Sequence, residues 1–523
     1  MSKNIYDWLF GSPQESYRRA RQNDASRSEG GQSRRATVQA LDGPDSFILG
    51  TLREGTPLRI APGQLQGHGV AWGANGMGKT YALSVLSAGF LPHGRVRHID
   101  PKGESILIAA VSAASTYLAL PEAEREAYAS QFHVIDVAVD RVTPSNLFHL
   151  PAGMSASYLA TLRAAAMIDL SDHAFSDLMH HAVYMLFAVA IVLQRGITKK
   201  FVRKFFLDDT FRQRVLAPKI YDAALRDSVE HLEAILPLVT RQSVVRQFEV
   251  LLNSQLAQIS FGLSPGAVTK LGGTSDPRVT LANCGASLLV PPNVARTMAI
   301  NRVVDALTEA KIRTDATPEM LVIEEIGSII KHPMVGRYLL EGSRTARWKN
   351  LAIVCCAQDP SNAIPTEPLR ALMLNARWFM AFESDREDAS LLLPHLPAVS
   401  AGSEAARKQA FLAEMAQLPA QHCYFLRKGL TPLRVRTRDH VPAKGYSRDA
   451  LLAIFNEQIA ARSMVRIDDA ERLIAEEERD LLGGDIRPQS PQIASCPAAA
   501  PLGTVEDLFA LLDRAATKGE PET

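Results

Sequence analysis

Eight consecutive residues, GANGMGKT from Gly73 to Thr80, have types and spacing that suit one kind of chemistry. They fit G-x-x-x-x-G-K-[ST], the loop that wraps the phosphate chain of a nucleotide. Glycines at Gly73, Gly76 and Gly78 let the backbone turn so that successive N–H groups face an anion, and a helix starting at about Gly78 adds its positive end. Ala74, Asn75 and Met77 complete the loop, and Tyr81 follows it. In this reading Lys79 reaches the β- and γ-phosphates, and the Thr80 hydroxyl ligates Mg²⁺. The ligand expected is ATP with Mg²⁺.

Hydrolysis needs acids, and MLVIEE, Met320 to Glu325, supplies two at the end of an apolar run. Glu324 would hold Mg²⁺ through water, and Glu325 would orient and deprotonate the attacking water. Gln358 closes a second apolar run, LAIVCCAQ, where a neutral amide either senses the γ-phosphate or simply ends a strand. Arg344 and Arg347, in EGSRTARWKN, are candidates to reach a neighbouring subunit's phosphate, with surface salt bridging as the alternative.

These groups need a frame that brings distant segments to one edge. GVAW before the loop and the amphipathic YALSVLSAGF after it read as strand, loop and helix, and RVRHID, Arg95 to Asp100, gives the next parallel strand of a βαβ unit. FILGTL and PLRIAP precede them, and HVIDVAV, His133 to Val139, follows. From about Met154 the chain is helical in character to Gln258. Strand-like segments return with VTLANCGASLLVPP, MLVIEE, LAIVCCAQ, ARWFMAFE and HCYFLRKGLTPLRVRT. The fold class is α/β, a mostly parallel central sheet with an inserted all-α domain. The expected boundaries are a flexible basic arm over 1–45, the first part of the nucleotide domain over 46–153, the insertion over 154–258 and the second part over 259–446. A charged helical extension covers 447–485. A Pro- and Ala-rich linker and a terminal amphipathic helix, VEDLFALLDRA, cover 486–523. That helix either docks a partner or packs back on its own domain.

The whole chain sets limits on partners. At 523 residues, 46% hydrophobic, 22% charged and a net charge of +1, it has the composition of a soluble globular protein. The apolar stretches His181 to Leu193 and Met320 to Ile330 fall short of the roughly 18 to 20 residues of a bilayer span, and the N-terminus lacks a secretory signal, so a cytoplasmic protein is expected. Five cysteines, Cys284, Cys355, Cys356, Cys423 and Cys496, are too sparse for a disulfide framework or zinc site and read as buried thiols. Two basic clusters could track nucleic-acid phosphates: Lys199, Lys200, Arg203, Lys204, Arg212 and Arg214, and the period-two set Arg434, Arg436 and Arg438. A solvated charged face is the alternative for each.

At these residues the chain resembles the FtsK/HerA superfamily of RecA-like motors, and within it the ATPases of type IV secretion and conjugation. HGVAWGANGMGKT resembles the family's loop, HIDPKGES (His98 to Ser105) its DPKGE segment in coupling ATPases, and TPSNLFHLP, more loosely, a later segment. TARWKN (Thr345 to Asn350) and Gln358 resemble the corresponding segments of the sister assembly ATPases. The resemblance covers about Ser46 to Arg438. It implies a RecA-like P-loop NTPase that hydrolyses Mg-ATP as a homo-oligomer, hexameric in the family, and energises transfer of DNA or protein beside inner-membrane secretion components. The chain departs from the family in lacking both the membrane helices of coupling ATPases and the large N-terminal domain of assembly ATPases, so membrane attachment would come through partners. A free DNA translocase, or an ATP-bound scaffold without turnover, are the alternative functions.

Overall fold

The computed structural model describes residues 34–136, 140–151, 154–167, 177–271, 277–285, 292–313, 315–332, 335–336, 339–340, 350–396, 404–438 and 445–482. The terminal helix expected over Val505 to Ala515 and most of the N-terminal arm lie outside them. The chain forms two compact units. The first comprises the residues up to Asp136, Thr274–Ser287 and Met298–Ser463; the second comprises Val137–Gly273, Leu288–Thr297 and the residues from Met464 on.

In chain order the strands are β1 (Phe47–Leu52), β2 (Pro57–Ile60), β3 (Gly69–Trp72), β4 (Arg95–Asp100), β5 (Phe132–Ile135), β6 (Arg141–Val142), β7 (Val279–Asn283), β8 (Glu319–Ile323), β9 (Leu351–Ala357), β10 (Trp378–Ala381), β11 (His422–Arg427), β12 (Leu433–Thr437) and β13 (Val465–Arg466). The first unit is built on an 11-stranded sheet in the order β2-β1-β12-β11-β10-β3-β9-β8-β4-β7-β5. Its stretch from β10 to β5 is parallel throughout. β11, β12, β1 and β2 extend it with antiparallel pairs.

The sequence explains this division. GVAW, LAIVCCA and WFMA are buried along their whole length, as parallel strands covered on both faces must be. β2 and β12 alternate buried and more exposed residues, the pattern of a sheet with one wet face. The helix Lys79–Phe90 covers one face near the loop, and its Leu83, Leu86 and Phe90 share a core with Val96, Met320, Val354, Trp378 and Phe425. His68, just before β3, is buried and its Nδ1 accepts the Ile353 N–H at 3.1 Å, so it fixes β3 against β9 rather than facing a ligand.

One stretch differs from expectation. The arm read as 1–45 ends in a helix, Arg34–Leu41, because Leu41 and Val38 pack into the core and the Thr37 hydroxyl accepts the Thr431 N–H.

In the second unit, the described residues between β6 and β7 form helices only. The apolar helix Asp177–Val192 is its centre, with Phe187 against Phe148, Phe248 and Phe261. The short ribbon β6–β13 and the helix Ile467–Leu482 belong to the same unit, and Glu477 of that helix accepts the Ser264 N–H and hydroxyl. No helix among the described residues is long and apolar enough to cross a membrane.

A candidate nucleotide site at the carboxyl edge of the sheet

The loop after β3 is held at both ends and open in the middle. At its start Gly73 has φ of 143°, and a Cβ there would lie 2.6 Å from Phe382 Cβ and 2.8 Å from the Glu383 carbonyl oxygen. The next residue, Ala74, donates its N–H to that same carbonyl at 2.7 Å, which ties the loop to the exit of β10. At its far end Gly78 has φ of 95°, and the Gln421 N–H donates to the Met77 carbonyl at 2.8 Å. Between these anchors Ala74, Asn75 and Gly76 are exposed.

Lys79 opens the helix and folds back into the loop. Its Nζ donates to the carbonyls of Gly73 at 2.7 Å and Ala74 at 2.9 Å, and the residue is only 7% exposed. An ammonium held inside a glycine-rich turn at a helix N-terminus is the arrangement that binds a phosphate chain. Thr80 and Tyr81, next in the first turn, are half-buried.

The acids stand two strands away, at the end of β8, with β9 in between. Register aligns Ala71 of β3 with Cys356 of β9, and Cys355 with Ile323 of β8, so Cys356 lies level with Glu324. Its thiol is pushed well above the ordinary range by burial first, then by the negative charge of Glu324. The Lys79 charge opposes this shift, while a hydrogen bond with Glu324 and the Glu325 charge add to it. Lys79, at the end of β3's loop, and Glu324 and Glu325, after β8, thus lie at the same edge of the sheet as Cys356.

The two glutamates face different surroundings. Glu324 is buried, with Oε1 3.3 Å from Nε2 of the fully buried His98 on β4. Glu325 adopts φ of 44° and ψ of 45°, a left-handed conformation that costs a non-glycine residue about 1 kcal/mol or more. Its carboxylate is held at both oxygens: Gln358 Nε2 donates to Oε1 at 2.5 Å, and Lys102 Nζ lies 3.2 Å from Oε2.

The sequence-predicted Lys79, Glu324, Glu325 and Gln358 thus meet at one edge, with Thr80 beside Lys79. Arg344 and Arg347 lie outside the described residues. The first basic cluster is corrected in part, because Arg212 is fully buried and structural: its guanidinium donates to the Phe205 carbonyl and Glu233 at 2.9 Å each, and to Asp209 at 3.2 Å. Arg203 and Lys204 are paired with Glu249 and Asp208. On β12, Arg434 is paired with Glu414 at 2.7 Å and Arg436 is exposed, as is Arg438 just past the strand.

Sequence reasoning missed Lys102, Asp100 and His98 as members of the site. The signal was present in HIDPKGES, an apolar strand running into Asp-Pro-Lys-Gly. Asp100 is buried, and its carboxylate accepts the Lys102 N–H at 2.8 Å and the Ile106 N–H at 3.4 Å, which fixes the turn that carries Lys102.

The donor set suits Mg²⁺. A threonine hydroxyl beside the loop lysine and two carboxylates nearby are hard oxygen donors.

No protein-family model and no curated protein matches this sequence. Solved structures do. VirB4 of Thermoanaerobacter pseudethanolicus is 13% identical, with 76% of this chain and 98% of that one covered and a TM-score of 0.51. The bacterial conjugative coupling protein TrwBdeltaN70, in complex with sulphate, is 14% identical over 81% of this chain and 95% of that one, with a TM-score of 0.52. The plasmid coupling protein TrwB in complex with ADP and Mg²⁺ shares the same identity and coverage, with a TM-score of 0.50. The present chain shares the fold of these solved structures.

Proposed function

We propose that this chain hydrolyses Mg-ATP as the subunit of an oligomeric, hexamer-type motor and energises transfer of DNA or protein by a type IV secretion or conjugation machine. It would work in the cytoplasm and reach the inner membrane through partner proteins. The observation that carries the reading is Lys79 folded into the glycine-rich loop after β3, with Glu324 and Glu325 at the same edge after β8 and Gln358, after β9, hydrogen-bonded to Glu325. The likeness to VirB4 and to conjugative coupling proteins supports the machine to which the motor belongs.

The roles follow from placement. The loop N–H groups and Lys79 bind and neutralise the β- and γ-phosphates. Thr80 and, through water, Glu324 would hold Mg²⁺, whose charge would neutralise the phosphate oxygens. Glu325, the more exposed acid, aims the attacking water and takes its proton, a role worth about 10² to 10⁴ in rate. Gln358 touches Glu325 directly, so a shift of the amide on γ-phosphate loss would be passed to the base and along β9. Arg436 and Arg438 are the exposed basic residues proposed to meet DNA phosphates.

The test is ATP turnover and nucleotide binding by purified wild type, Lys79→Ala and Glu325→Gln. Loss of binding or turnover in the first, and retained binding without turnover in the second, are expected. Wild-type rates in either variant would contradict the proposal.

A further inference from the structure

We infer that Lys102 is a positioning residue for Glu325: together with Gln358 it holds the carboxylate in the one orientation from which it can meet the attacking water. The inference rests on the ATPase reading above and deepens it.

An exposed ion pair by itself contributes little stability, and the Lys102 and Glu325 side chains are 45% and 23% exposed. Three features set this pair apart from an ordinary surface contact. The partner is the acid on left-handed backbone, a conformation that no residue of β8 shares. Lys102 itself stands on a fixed base: Asp100 accepts its N–H, and Gly103 is left-handed with φ of 83°. Gly285 packs so closely against the Lys102–Gly103 peptide that a Cβ there would lie 2.2 Å from the Gly103 nitrogen.

The third feature is the division of labour at the carboxylate. Gln358 takes Oε1 at 2.5 Å and Lys102 takes Oε2 at 3.2 Å. One donor would leave the carboxylate free to swing about its terminal bond; two donors, from the segments that follow β4 and β9, fix its plane and leave the outer lone pairs for water. Catalysis by a positioned base depends on such orientation, because small misplacements of a reacting group cost large factors in rate.

The first test is geometric and needs no turnover. Treatment of the full-length protein with a water-soluble carbodiimide activates carboxylates, and an amine within contact distance displaces the activated group to leave an amide. A Lys102–Glu325 crosslink, found by mass spectrometry in wild type and missing in Glu325→Gln, is expected; its absence from wild type would overturn the inference.

The second test is kinetic. Lys102→Met should lower kcat at least tenfold with KM for ATP unchanged, and Lys102→Arg should recover most of the loss. Adding Lys102→Met to Glu325→Gln should slow the enzyme no further, since both act through one group. A raised KM with unchanged kcat would mean that Lys102 contacts the phosphates instead, and a wild-type kcat that it does nothing to Glu325; either result overturns the inference alone. Wild-type turnover no faster than Glu325→Gln would overturn the ATPase reading and this inference with it.

Discussion

Two glycine-to-alanine changes in the loop separate the cost of backbone conformation from the cost of contact. Gly76 has φ of 75°, and a Cβ there would meet nothing within 4 Å. Gly76→Ala therefore carries only the penalty of a left-handed non-glycine residue, about 1 to 2 kcal/mol. Gly73 has positive φ as well, but its Cβ would strike Phe382 Cβ at 2.6 Å and the Glu383 carbonyl at 2.8 Å, and neither is the free end of a flexible side chain. Overpacking of that kind adds about 1 to 3 kcal/mol. The loop would relieve it by leaving β10, breaking the Ala74 to Glu383 hydrogen bond and displacing the carbonyls that hold Lys79. At about 1.4 kcal/mol per factor of ten, Gly76→Ala should weaken ATP binding by roughly 5- to 30-fold, and Gly73→Ala by roughly ten times more again. Titration with a fluorescent ATP analogue and Mg²⁺ measures both, with circular dichroism to confirm folding. Equal losses in the two variants, or wild-type affinity in Gly73→Ala, would refute the account of the loop.

Arg212→Ala should destabilise the helical unit by about 1 to 3 kcal/mol, because it leaves the Phe205 carbonyl without its donor at a fully buried position, whereas the exposed Lys200→Ala should fall within about 0.5 kcal/mol of wild type in denaturant unfolding. Burial holds the thiols of Cys284 and Cys355 at about 12 and raises those of Cys356 and Cys423 as well, so a Cys496→Ser variant should not react with Ellman's reagent at pH 8 until it is denatured. Asp388 is raised to about 7, by burial first and then by its neighbours Asp359 and Asp385, against hydrogen bonds from Ser361. Its protonated form is the one favoured by folding, so its contribution is full below about pH 4 and is lost as pH rises through about 7. The melting temperature of wild type relative to Asp388→Asn should accordingly fall between pH 5 and 8, and a difference that stays constant would contradict the assignment.

The sequence carried the sheet and the loop well for physical reasons. LAIVCCA is apolar at every position because β9 is covered on both faces, and such a run is visible without knowing its neighbours. The loop is visible because its left-handed positions demand glycine locally. Strand order was not legible: nothing local says that β9 lies between β3 and β8, since parallel order is set by crossovers and by the helices packed on the sheet. Arg212 shows the same limit. In FRQRV it reads as one of several surface cations, and only the π-helical turn at Arg212–Leu216 and the distant Glu233 make it a core residue. Lys102 in HIDPKGES shows no role in the sequence, because its partner lies more than two hundred residues away in the chain and is brought within 3.2 Å only by the pairing of β4 with β8.

The most direct test of the central claim is steady-state ATP hydrolysis by the purified protein over a range of protein concentrations, with Glu325→Gln as the blank and with single-stranded or duplex DNA added. The account predicts wild-type turnover well above the blank, with specific activity that rises with protein concentration as subunits assemble, and a further rise with DNA if DNA is the cargo. Wild-type turnover indistinguishable from Glu325→Gln at every concentration and with either DNA would contradict it.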